Sequence, residues 1–116
     1  MSLVIEVKSG GGVPASVYQV EFARAEAFDE GEYGPGVKLI WKILDGEFAG
    51  EEATRICSMK LSPKSNLYQF VKALGGREPQ PGERIELDSF VGTRGSVVVE
   101  ELPSGSTRVS VFIRQA

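Results

Sequence analysis

The sequence predicts a mainly β domain: a five-stranded barrel with one helix between the third and fourth strands. Three observations predict it. Five runs alternate apolar and polar residues with a period of two. One run alone, ahead of Gly75-Gly76, repeats its apolar residues at helical spacing. Clusters rich in Gly, Pro, Asp and Ser separate the runs, as turns and loops require.

Residues 3–8 alternate weakly and read as a short leading strand, closed by breakers from Ser9 to Pro14. Ser16 to Phe28 is the first long strand. Tyr18, Val20 and Phe22 share one of its faces, and Gln19, Glu21 and Ala23 share the other. Its end, Ala23 to Ala27, has helical propensity, but no capping residue opens it and the period upstream is two. Asp29 to Gly36 is a loop by composition. Val37 to Leu44 is the clearest strand, with Val37, Leu39, Trp41 and Ile43 on one side and Lys38, Ile40, Lys42 and Leu44 on the other. Asp45-Gly46 marks a hairpin turn. Ala53 to Met59 is the third strand, where Arg55, Cys57 and Met59 share a face.

The helix is expected over Ser62 to Leu74. Ser62 suits the N-cap, Pro63 the first helical position, and Leu67, Phe70, Val71 and Leu74 form a core-facing stripe. Gly75-Gly76 ends it. A connection broken by Pro79 and Pro81 leads to Ile85 to Asp88, which alternates as a short strand or the lead-in to one. Ser96 to Leu102 is the fourth long strand, and Thr107 to Arg114 the last, joined by a turn at Pro103 to Ser106. Residues 1–116 make one domain, without internal repeats.

Composition excludes several functions. The chain has no histidine, which removes Ser-His-Asp and Cys-His nucleophile systems and histidine-based zinc sites. The lone Cys57 offers no disulfide and no metal-ligand spacing. Glu51-Glu52 and Glu100-Glu101 are sequence neighbours on strands, so the members of each pair point to opposite faces and make no acid/base couple. Gly10-Gly11-Gly12 lacks the Lys-Ser/Thr of a phosphate loop. The expectation is a protein that is not an enzyme and uses no metal or cofactor. Apolar runs are too short for a membrane span, and the N-terminal one is too short and too interrupted for a signal peptide. A cytoplasmic location follows as the expectation. The formal charge is −3, from 13 Lys and Arg against 16 Asp and Glu. Such a balance argues against a sequence-independent grip on duplex DNA but allows a local basic groove.

With Leu39 and Trp41 turned inward, Lys38 and Lys42 point outward on the second strand. Arg55 on the third strand and Lys60 and Lys64 near the helix start are expected to extend this basic stripe. Trp41 shares its face with Leu39 and Ile43 and is expected in the core, which makes Tyr33, in the Gly-rich loop, a better candidate for base stacking, with Phe48 and Tyr68 as alternatives.

Five strands with the helix after the third is the order of the OB-fold, a platform for single-stranded nucleic acids or oligosaccharides. Several segments add a resemblance: Ile5-Glu6-Val7-Lys8 with Gly10-Gly11, Lys38-Leu39-Ile40-Trp41-Lys42-Ile43, Leu61-Ser62-Pro63-Lys64-Ser65-Asn66-Leu67 with Gly75-Gly76, and Leu87-Asp88-Ser89-Phe90-Val91-Gly92. In this order they resemble small phage and prophage proteins regarded as OB-fold single-stranded DNA-binding or replication-accessory proteins. The resemblance implies single-stranded DNA as the ligand, with a role in replication or recombination. The third strand departs from such binders in carrying no aromatic residue. The alternative from the acidic balance is a protein-interaction module or accessory subunit, and a homo-oligomer is compatible with either.

Overall fold

The computed structural model describes residues 13–28, 36–58 and 64–115. The leading strand expected over residues 3–8, Tyr33, Lys60, and the proposed cap Ser62-Pro63 lie outside the described residues.

Alternating residues pair here into one antiparallel sheet of five strands: β1 (Ser16–Phe28), β2 (Gly36–Ile43), β3 (Glu52–Ser58), β4 (Arg94–Glu101) and β5 (Thr107–Arg114). Their order across the sheet is β3-β2-β1-β4-β5. β1 is long enough to serve two neighbours: residues 16–21 pair with β4 and residues 20–28 with β2. A register shift between Phe22 and Arg24 lies just past the changeover. One extra residue there bends the strand and increases its twist, letting it leave one partner for the other.

The helix α1 (Asn66–Gly75) follows β3 and covers the inner face of the sheet. Trp41 on β2 is fully buried and packs against Phe22 of β1 (ring centroids 5.5 Å), Phe70 of α1 (5.5 Å) and Phe112 of β5 (5.8 Å). Four elements thus meet on one indole. Leu67, Phe70, Val71 and Leu74 are buried, as their spacing requires. The helix starts later than expected. Ser65 is its N-cap, its Oγ accepting from the Tyr68 N–H at 3.2 Å, and Gly76 closes it in a left-handed conformation (φ 74°) with its N–H on Lys72 O.

The two edge strands β3 and β5 run in the same direction and approach each other. Arg55 of β3 donates from Nη1 to Val109 O of β5 at 2.9 Å. No ladder joins these strands among the described residues, so the expected barrel is reached here only as a sheet with neighbouring edges.

The alternation of residues 85–88 predicts a short strand or the lead-in to one. Instead Leu87–Phe90 form a 3-10 turn, in which Glu86 O accepts from both Ser89 N (3.0 Å) and Ser89 Oγ (2.6 Å). These local bonds replace a ladder, while Ile85, Leu87 and Phe90 still pack against the core.

The connection from α1 to this turn is held by Glu83. Arg77 donates to its carboxylate through two nitrogens, and the Gln80 N–H donates at 3.0 Å. The guanidinium first, then the backbone N–H, hold the Glu83 carboxyl at about 2, below its usual 4.5. A lowered carboxyl contributes stability that is complete above its unfolded pKa and lost as pH falls through the folded one. Arg77→Gln is expected to return the Glu83 midpoint, read by carboxyl NMR, most of the way toward 4.5. A midpoint that stays put would show that Arg77 does not hold this carboxylate.

Candidate nucleic-acid interface

The outer face of β1, β2 and β3 carries rows of side chains set by strand register. One row reads Arg94, Glu21, Lys42, Glu52 across β4, β1, β2 and β3. The next reads Arg24, Ile40, Thr54, and the third Glu26, Lys38, Ile56. Signs therefore alternate across the strands, the arrangement that cross-strand pairs favour.

The arginines take up the carboxylates. Arg24 donates to Glu26 at 2.7 Å and to Glu52 at 2.8 Å, and Arg94 donates to Glu21 at 3.1 Å. Arg24 holds the Glu26 carboxyl below its usual range, with a smaller contribution from the charge of Lys38. Lys38 and Lys42 form no ion pair among the described residues. They stand on the same side of one strand, about 13 Å apart along it by the strand rise. Ile40 between them is buried although it lies outside the main core, which fixes the backbone from which both lysines project. Counting Arg24, Arg94, Lys38 and Lys42 against Glu21, Glu26 and Glu52, the face has one positive charge in excess, and it resides on the lysines.

Of the expected stripe, the structure brings Lys38 and Lys42 to this face. Lys64 is exposed immediately before the helix cap. Arg55 does not join them. Register places it opposite Leu39, on the inner face, with 6% of its surface exposed. Its guanidinium lies 5.6 Å over the Phe70 ring and spans the gap to β5. Burial first, and then the charge of Arg108, lower its pKa. Among the described residues its Nε has no hydrogen-bond partner and Arg55 forms no ion pair, although the charge of Glu100 acts on it.

A buried guanidinium that makes no close ion pair opposes folding unless packing offsets the desolvation. Arg55→Met keeps the contact with Phe70 and gives up one bond to Val109 O, worth about 1 kcal/mol. The variant is expected to be at least as stable as the parent in urea unfolding. A loss beyond about 2 kcal/mol would mean that the arginine holds β3 to β5 more strongly than its desolvation opposes it.

Other basic and aromatic side chains are already engaged. Arg108 pairs with Glu100 at 2.8 Å, Phe48 packs edge-on to Tyr18 at 6.1 Å, and Trp41 is sealed in the core. Cys57 is buried, and burial raises its thiol pKa, which keeps it protonated and unreactive. Among the described residues, no three His, Cys, Asp or Glu side chains are grouped to hold a metal ion, and no helix is long and apolar enough to cross a membrane. Sequence reasoning missed the Arg24, Glu26 and Glu52 network. Its only local signal was Arg24 and Glu26 at a spacing of two on one strand, which places them on one face. No protein-family model matches the chain, and no curated protein matches it.

Proposed function

We propose that this is a non-enzymatic single-stranded nucleic-acid-binding protein of the OB type, with the outer face of β2 and β3 as its ligand surface. The observation that carries the reading is the pair of outward lysines, Lys38 and Lys42, which form no ion pair among the described residues, on a face whose arginines are engaged. Two point charges along one strand can meet two separate phosphates of a bound single strand, and the exposed Ile56 beside Lys38 offers apolar contact to a base. The strand order favours the OB reading. β5 lies beside β4 at one edge and its direction matches β3 at the other, so the sheet has the connectivity that the five-stranded barrel closes. Tyr33, five residues before Lys38 in the sequence, is the proposed stacking side chain, and Lys60 and Lys64 are proposed to extend the phosphate track. A phage or prophage role in replication or recombination, in the cytoplasm, is the setting proposed for this activity.

The test is a fluorescence-anisotropy titration of labelled oligo-dT at low and at moderate salt. Binding that weakens with salt and resists a duplex competitor is expected. Absence of binding at low salt overturns the reading.

A further inference from the structure

A second surface lies away from the lysine face. Between α1 and β5 runs a groove of about 610 Å³. Phe70, Ala73 and Phe112 make it apolar, and Val111 and Ile113, exposed at 43% and 58%, continue it onto the strand.

The strand beside the groove is a sheet edge. Gln115 N donates to Arg94 O at 2.9 Å, which sets the alternation of the β4–β5 ladder. Val111, Ile113 and Gln115 direct their backbone groups to β4, and Phe112 and Arg114 direct theirs to the other side. Val109 O, which also faces away from β4, is taken by Arg55. Beyond it, the N–H and C=O groups of Phe112 and Arg114 meet no strand among the described residues.

Charge gathers at one end of the groove, where α1 stops. Lys72 lies 3.4 Å from Glu78, Arg77 is held by Glu83, and Arg114 reaches over Gly76 with no ion pair among the described residues. Three cations against two carboxylates leave one positive charge, on Arg114.

We infer that this groove receives an extended apolar peptide from a partner protein, added as a strand along β5, with an acidic residue where it meets Arg114. Only a peptide backbone supplies both the acceptors and the donors that the Phe112–Arg114 edge lacks. One uncompensated cation beside an apolar floor provides no track for phosphates. A second copy of the chain laid on this edge would bring another Arg114 toward the same positive end, whereas an acidic segment neutralises it.

The experiment is fluorescence polarisation of the full chain with a labelled peptide that alternates isoleucine and threonine and carries one aspartate in place of its last isoleucine. Two further peptides serve as comparisons, one with lysine in place of aspartate and one N-methylated at alternate amides. Saturable binding of the first alone is expected. Arg114→Glu should weaken it about tenfold, Arg114→Gln less, and Val17→Lys on the outer face should leave it unchanged. Failure of the acidic peptide to saturate overturns the inference, as does equal binding of the lysine or the N-methylated peptide. So does displacement by oligo-dT, by dimer formation of the protein, or a gain in affinity on removing residues 1–12, each of which identifies a different occupant.

Discussion

Gly95→Ala is expected to lower the stability of the fold by about 1–3 kcal/mol, and Gly95→Val by more, toward loss of folding. The cause is local and steric. Gly95 is buried at the start of β4, paired with Val20 of β1 on one side and Arg114 of β5 on the other. A Cβ at this position would run into the Ile113 carbonyl oxygen and stand 2.8 Å from the Phe112 ring. Neither neighbour can retreat. The carbonyl belongs to the β4–β5 ladder, and Phe112 is itself stacked on Trp41, with ring centroids 5.8 Å apart. Displacing Phe112 would therefore disturb the indole on which β1, β2, α1 and β5 converge. Gly75 gives the contrast. A Cβ there would lie 3.4 Å from the Phe90 ring, an acceptable contact, within a helix that favours alanine. Urea unfolding of the two alanine variants checks the argument. Equal midpoints for Gly95→Ala and the parent would show that β4 and β5 can part without cost.

This constraint was invisible in the sequence, where Gly95 stands just ahead of the strand read from Ser96. Strand interiors disfavour glycine in general, and only the tertiary approach of Phe112 explains it here. Other features were legible because they depend on local period alone. The bounds of β1 and β5 and the buried stripe of α1 follow from alternation and helical spacing. The helix start was not legible in that way. Ser62 and Ser65 are both competent caps, and the choice rests on which hydroxyl meets an orphan N–H, here Ser65 with Tyr68. Arg55 shows a different limit. Alternation correctly placed it on one face with Cys57, but the identity of the inner face comes from pairing with Leu39. Its charge suggested solvent, and its neighbours Ala53 and Cys57, both buried, suggested the core. The ion pairs of Arg24 lie beyond sequence reading for another reason. The shift between Phe22 and Arg24 changes which β1 residue faces each residue of β2.

Reversing both lysines, as Lys38→Glu with Lys42→Glu, is expected to weaken oligo-dT binding at low salt by about a hundredfold or more. Each lysine that neutralises a phosphate on a single strand contributes about 0.7 to the slope of log affinity against log salt, so the slope should flatten by about 1.4. The two effects together separate phosphate contact from a general loss of structure. Reversal also places new carboxylates beside Glu26, and beside Glu21 and Glu52, which costs a little stability through cross-strand repulsion. The neutral pair, Lys38→Gln with Lys42→Gln, avoids that repulsion and should show the same flattening with a smaller loss of affinity. Arg24 makes the internal comparison. Its guanidinium is already committed to Glu26 and Glu52, so Arg24→Gln should change the salt slope little while freeing two carboxylates that oppose the phosphates. Weaker binding at an unchanged slope is thus expected of Arg24→Gln, and a flattened slope of the lysine pair. If the lysine variants bind oligo-dT with the parent's affinity and slope, the outer face of β2 is not where a nucleic acid lies.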